Sequence, residues 1–301
     1  MSVQLNHAYN QQIDYIYHGS KLFSYVYAPG TPQIESPRPY FHPLSTLQGR
    51  VVTIFRPTDH LWHQGLSLTC AVLSGENFWG GVTYVRDKGY VQLPNNGSQS
   101  HLAWDAIDFN NNLPRMTQTL HWLTQNGKRL LEEKRQISVE TVNEKESYWV
   151  LRFSTNLLNI SGKVLDFGSP TTEGRENAGY GGLFWRGPRS FCGGKVMLDN
   201  GLEGEESIMG QRGRYLSYTG RHDETSDFST LIFLDSPANP RHPTQWFARN
   251  GYAPMACCAI MFDEILALAD GDSLKLDYKI CIADGELSAE IVKNIATACR
   301  F

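Results

Sequence analysis

The chain has no run approaching the roughly 18 to 20 consecutive apolar residues of a membrane-spanning helix, so no membrane partner is expected across its 301 residues. Its opening, MSVQLNHAYNQQIDYIYHGS, also lacks the basic-then-apolar plan of a secretory signal, and a cytoplasmic location is the expectation. There is no basic excess: 27 Lys and Arg stand against 31 Asp and Glu, for a formal net charge of -4. That balance supplies no electrostatic reason to bind nucleic acid or an anionic lipid surface. Cysteine is sparse, with six residues and no C-x-x-C pair, which argues against a disulfide framework and for buried free thiols. Missing too are a P-loop, a G-x-S-x-G elbow, an H-E-x-x-H helix and a strand-borne G-x-G-x-x-G. What remains is a small-molecule partner, neutral or weakly charged.

Short apolar or alternating runs recur instead, among them KLFSYVYA, VVTIF, LSLTCAVL, SYWVLRFSTNLL, DFSTLIFLD and SLKLDYKICIAD. Punctuated by Gly, Pro, Asn and Asp, they read as strands. Asn-Gly or Asp-Gly steps at 95–99, 125–129 and 269–273 favour hairpin turns. Arg115 to Ile160 reads as long antiparallel strands. One helix is expected over about 287–299, with Leu287, Ile291, Val292 and Ile295 on one stripe and Ser288 as its cap. With no low-complexity linker or charge block, residues 1–301 are expected to form a single all-β domain. Its architecture would be a large antiparallel β-sandwich, two sheets face to face, ending in that short helix.

Three polar stretches carry residues suited to chemistry. The first, RPYFHPLSTLQGRVVTIFRPTDHLWHQGL at 38–66, holds His42, Arg50, Asp59, His60, Trp62 and His63. On a strand, residues three apart face opposite ways, but Pro57 and Gly65 bracket the histidine pair and predict a turn in which both imidazoles converge. One imidazole can then serve as a general acid while Asp59 fixes its tautomer. Alternatively, the pair ligates a metal with a third ligand from elsewhere. The second stretch, 166–191, gathers Glu173, Arg175, Glu176 and Asn177 ahead of Tyr180, Phe184 and Trp185. Carboxylate, guanidinium, amide and ring together suit a polyhydroxylated ligand. The third, 235–255, is a proline-stiffened loop bearing Arg241, His242, Trp246 and Arg249, able to hold those side chains at little entropic cost.

Taken in order, HPLSTLQGRVVT, PTDHLWHQGL, ENFWGG, TTEGRENAGYGGLFWRGP and SPANPRHPTQWFAR resemble a soluble bacterial family that carries the label "methane oxygenase PmoA". The resemblance runs from about Pro39 to Asp284, and Trp62 stands where that family commonly has a histidine. The label fails a physical test, because the membrane subunit of particulate methane monooxygenase has several transmembrane helices. Methane oxidation is therefore rejected. What the resemblance implies is a relative of the galactose mutarotase supersandwich, found among sugar-catabolism genes. In that broader fold a histidine protonates the ring oxygen and a carboxylate removes the anomeric proton. By that analogy His60 or His63 would be the acid and Glu173 or Glu176 the base, with Arg50, Arg175, His242 and Arg249 binding hydroxyls or developing charge.

Three readings follow. The first is a sugar-directed acid–base enzyme without a cofactor, an epimerase or a lyase or hydrolase of an oxidised sugar or glycoside; it needs a histidine and a carboxylate opposed across a pocket about one sugar ring wide, with His42, Trp62, Asn177, Trp185 and Trp246 completing the walls. The second is a metal enzyme in which His60, His63 and His242, joined by Glu173, hold one ion. The third is a non-catalytic carbohydrate-binding module whose Trp62, Trp79, Trp185 and Trp246 form an exposed stacking platform.

Overall fold

Strands with one solvated face alternate in burial along the chain, and strands covered on both faces do not. Both kinds occur here, and their positions decide where a ligand can sit. The structure, a computed structural model, describes residues 3–301. In chain order the first strands are β1 (Val3–Ala8), β2 (Gln12–Tyr17), β3 (Ser20–Val26), β4 (Tyr40–Leu44), β5 (Leu66–Cys70), β6 (Val72–Leu73) and β7 (Thr83–Val85). There follow β8 (Gly89–Val91), β9 (Ser98–Asn110), β10 (Leu113–Leu123), β11 (Arg129–Asn143), β12 (Tyr148–Asn159), β13 (Leu165–Gly168) and β14 (Gly181–Arg186). The last are β15 (Lys195–Leu198), β16 (Tyr215–Arg221), β17 (Phe228–Asp235), β18 (Trp246–Arg249), β19 (Met255–Cys258), β20 (Leu266–Leu268) and β21 (Ser273–Asp284). The helices are a single turn, α1 (Glu205–Ile208), and α2 (Ala289–Ala298).

Two eight-stranded sheets result, ordered β1-β2-β3-β4-β5-β14-β19-β18 and β15-β16-β17-β21-β12-β11-β10-β9. Every pairing within them is antiparallel. The expected large antiparallel sandwich is thus what forms. Its main core draws Leu66, Leu68, Leu183 and Trp185 from the first sheet and Met116, Ile137, Phe153 and Ile280 from the second. The long strands from Arg115 to Ile160 are β10, β11 and β12, and the Asn-Gly step at 126–127 closes the β10–β11 hairpin, Thr124 N–H donating to Lys128 O at 2.9 Å. The other two Gly steps lie in connections between strands that do not pair with each other. Ser288 caps α2 as expected, its side chain accepting from the Ile291 amide. The buried stripe is Val292, Ile295 and Ala296, on the outer face of the second sheet, while Ile291 is 47% exposed. Five cysteines are buried, Cys192 is exposed and all six are free thiols. Among the described residues, no helix is long and apolar enough to cross a membrane.

The first sheet is covered on both faces at its centre, so β5, β14 and β19 are buried at every position. Along β14, Leu183 and Trp185 point into the sandwich, and Phe184 joins a second apolar cluster on the outer face with Trp79, Phe247, Met255 and Cys257. That outer cluster is the floor of the candidate site.

A buried ion pair links the sheets. Glu133 and Arg135, two apart on β11 and each wholly buried, meet at 2.7 Å. Arg135 also donates to Tyr25 Oη on β3 at 3.0 Å, and Trp122 and Thr155 donate to Glu133. Removing one partner of such a pair strands the other's charge. Arg135→Met is expected to cost about 3–5 kcal/mol, read as a lower urea midpoint at unchanged slope; a loss within experimental error would show the pair to be dispensable.

Candidate active site

Residues 51–65 leave the first sheet as an arm and return to it through two successive turns. The His60 amide donates to Pro57 O at 3.0 Å, and the His63 amide donates to His60 O at 3.0 Å. The predicted turn therefore forms, and it stacks the His60 and His63 rings nearly parallel with centroids 4.5 Å apart. Gly65 is required where the arm rejoins: at φ +50°, a Cβ there would lie 2.1 Å from Phe41 O. Gly81 plays the same part for Trp62, whose ring atoms a Cβ at φ +66° would meet at 2.7 Å. Beneath the arm the wholly buried Arg38 donates to the carbonyls of Trp62 and Trp79 at 2.8 and 3.1 Å, fixing the two indoles' backbones together.

Arg186, the last residue of β14, organises the chemistry. Its side chain is fully buried; Nη1 donates to His63 Nδ1 at 2.9 Å and Nη2 to Asp59 Oδ2 at 2.8 Å. A guanidinium can only donate, so His63 must accept at Nδ1 and carry its proton on Nε2. Burial, reinforced by His60 whenever it is protonated and by the charges of Arg186 and Arg38, pushes His63 well below the usual imidazole value of 6.5, so it stays neutral. Its Nε2–H is buried without a partner. Burial opposes the charge of Asp59, but hydrogen bonds from His60 and Arg186 outweigh it and hold the carboxyl below 3.8. The anionic Asp59 accepts from His60 Nδ1 at 2.8 Å and, through Oδ1, from Arg189 at 3.1 Å. His60 thus has its proton on Nδ1 and its Nε2 lone pair free. The two stacked imidazoles are held in opposite tautomers.

They line a pocket of about 310 Å³ together with Trp62, Trp79, Tyr90, Arg175, Asn177, Tyr180, Phe247, Arg249 and Tyr252. Tyr90, on the β7–β8 hairpin, hydrogen-bonds to Tyr180 Oη at 2.8 Å, and Arg175 bonds the same phenol while its guanidinium lies 4.7 Å from the Tyr90 ring centroid. Arg249 covers Phe247 at 5.5 Å and reaches Glu205 Oε1 at 3.4 Å.

Of the residues expected from the sequence, the structure brings His60, His63, Trp62, Arg175, Asn177 and Arg249 together. The others lie elsewhere. Glu173 and Glu176 are on the same loop as Arg175, half-buried and exposed, outside the pocket lining, and no carboxylate lines it among the described residues. Arg50 pairs with Asp227 and Asp284 at 2.5 and 2.9 Å, far along the chain. His42 hydrogen-bonds to Thr53 Oγ1 at 2.9 Å. Strand alternation turns Trp185 and Trp246 into the sandwich core, where each is wholly buried, and leaves Phe184 and Phe247 on the outer face. An exposed platform of four tryptophans is therefore not what the fold builds. His242 is held by the buried Asp235 at 2.8 Å and does not join His60 and His63. Among the described residues, no three His, Cys, Asp or Glu are grouped to hold an ion.

A family model described as a family of unknown function, DUF6807, matches residues 12–297. The chain belongs to that family. That family's description does not bear the methane-oxygenase label. No curated protein matches. Among solved structures, the GH36 α-galactosidase AgaB from Geobacillus stearothermophilus is similar over 96% of this chain, at 11% identity and a TM-score of 0.46. This chain spans only 42% of that one. The galactose 1-epimerase from Lactobacillus acidophilus is similar over 95% of this chain and 100% of its own, at 10% identity and a TM-score of 0.44. At those scores the likeness carries nothing about chemistry, which rests on the pocket itself.

Of the further residues that build the site in this DUF6807 chain, Tyr180 is expected from the second stretch, whereas Arg186, Tyr90 and Phe247 are not. Arg186 follows an apolar strand and looks like a residue leaving the sheet for solvent; its one signal is parity with Phe184 on the outer face. His63 also sets a pH dependence. Its folded-state value lies below the unfolded 6.5, so the unfolded chain takes up the proton first and stability falls as pH drops below about 6.5. His42, His101 and His222, depressed by burial, act in the same direction. Urea midpoints between about pH 7.5 and 5.5 should show His63→Gln with a shallower slope than the parent, by at most about 1.4 kcal/mol per pH unit. Equal slopes would mean that His63 is not held neutral.

Proposed function

We propose that this chain is an acid–base enzyme that moves a proton at a carbon atom of a carbohydrate-like small molecule, as an epimerase or a lyase does. The observation that carries the reading is the pair of stacked imidazoles in opposite tautomers at a pocket wall. Asp59 occupies His60 Nδ1–H and leaves Nε2 free to take a proton, and the imidazolium that forms shares its charge with that carboxylate. His63 supplies the complement. When a proton leaves a carbon next to a carbonyl, negative charge develops on oxygen, and a fixed, desolvated N–H stabilises it without reorganisation.

The pocket suits such a substrate in size and surface. Its volume of about 310 Å³ is at the low end for small-molecule sites, and Trp62, Trp79, Tyr180 and Phe247 offer flat apolar surface to a sugar's C–H face. Hydrolysis of a glycoside ordinarily uses two carboxylates flanking the scissile bond. With none lining the pocket among the described residues, epimerisation or elimination is favoured over hydrolysis. The base is then His60 backed by Asp59, and Glu173 and Glu176 take no part at the reacting carbon.

His60→Gln keeps a side chain of similar reach but removes the base. It should lower the rate of solvent deuterium exchange into the substrate by roughly a hundred- to ten-thousand-fold, with KM little changed. Asp59→Asn should slow the same exchange by disturbing the His60 tautomer. Exchange at the parental rate in His60→Gln would remove His60 from the mechanism.

A further inference from the structure

From the polarity of the pocket, and resting on the reading just given, we infer that the substrate is a sugar acid, bound through a carboxylate that the site recognises with Arg175, Arg249 and the unpartnered ring N–H groups of His63 and Trp62. A neutral sugar presents hydroxyls, each of which donates as well as accepts, and a site for it needs acceptors as partners. The lining offers His60 Nε2, the Asn177 amide oxygen and tyrosine hydroxyls as acceptors, but no anionic one among the described residues. Two arginines reach it, no carboxylate does among the described residues, and His63 Nε2 and Trp62 Nε1 are both buried with nothing to donate to. Buried donors left unpaired cost free energy, and a ligand rich in acceptors recovers it.

Arg175 is held but not neutralised, and Arg249 is only loosely paired. Arg175 rests on the Tyr90 ring and has no ion-pair partner among the described residues. Arg249 has Glu205 at 3.4 Å, but Glu205 Oε2 is already engaged by the amides of Asn250 at 2.6 Å and Gly251 at 2.9 Å. One free guanidinium and one partly satisfied guanidinium, with His63 neutral, match a single carboxylate better than a doubly charged phosphate. With its charge met by the arginines and ring N–H groups, a carboxylate next to the reacting carbon can also take up the electron pair left when His60 removes the proton, so that recognition and chemistry use the same group.

The test is calorimetric titration of the purified full chain with a hexuronate, an aldonate, the parent neutral hexose and a hexose phosphate, each at low and at high salt. The acids are expected to bind at least about tenfold tighter than the neutral hexose, with the advantage shrinking as salt rises. Arg175→Gln and Arg249→Gln should each remove most of that advantage, with melting curves confirming that both variants fold. Equal binding of acid and neutral sugar by the parent chain would overturn the proposal without recourse to any variant, as would preference for the hexose phosphate with the acids ignored, or an acid preference that survives in the double variant. His60→Gln separates the two readings. If acids bind but neither parent nor variant exchanges a carbon-bound proton, the sugar-acid site stands and the acid–base enzyme falls. If the parent exchanges a proton on the neutral sugar alone, the reverse holds.

Discussion

Everything at the candidate site depends on one buried guanidinium. Arg186 closes β14, donates from its backbone amide to Gly65 O at 2.8 Å, and spends its side chain on His63 and Asp59. Burying that charge is costly unless partners meet it, and the partners it has chosen are the two that define the chemistry. Because a guanidinium only donates, it dictates that His63 accept and that Asp59 remain ionised. Asp59 in turn dictates where the His60 proton resides. One residue on a rigid strand thereby assigns the protonation of three residues on an arm outside the sheet.

The surroundings preserve that assignment. The His63 ring meets Trp79 and Phe184 edge to face, with centroids at 5.3 and 4.9 Å, which fixes its orientation at the pocket wall. Arg38 locks the carbonyls of the flanking tryptophans, and Gly65 and Gly81 allow the arm to approach the sheet closely. The sandwich beneath is a wide platform whose outer face happens to be apolar at its centre. Arg186 and Phe247 sit on strands of that platform, which holds side chains more precisely than a free loop would.

Much of this was legible in residues alone. Pro57 and Gly65 announced the turn, and the turn implied that His60 and His63 converge, with Asp59 poised to orient one of them. The strand runs and the capped terminal helix were equally plain. What failed was parity in strands buried on both faces. With no polar residue to mark the outside, Trp185 and Trp246 could not be distinguished from Phe184 and Phe247, and the aromatic lining was assigned to the wrong partner in each pair. Long-range pairing failed for a related reason. Arg50 meets Asp284, 234 positions away, and His242 meets Asp235 in a strand–loop contact that removes it from any ligand cluster. Glu173 and Glu176 looked catalytic by composition, yet in a glycine-rich loop the backbone decides which side chains border the pocket, and there it sets the exposed Arg175 and Asn177.

The role of Arg186 rests on the tautomers of the two imidazoles. Nitrogen-15 NMR of the imidazoles at neutral pH reads them directly, since protonated and unprotonated ring nitrogens resonate far apart. His63 is predicted to be neutral with its proton on Nε2 while His60 carries a proton on Nδ1. A His63 protonated on both nitrogens, or on Nδ1 alone, would contradict the central role given to Arg186.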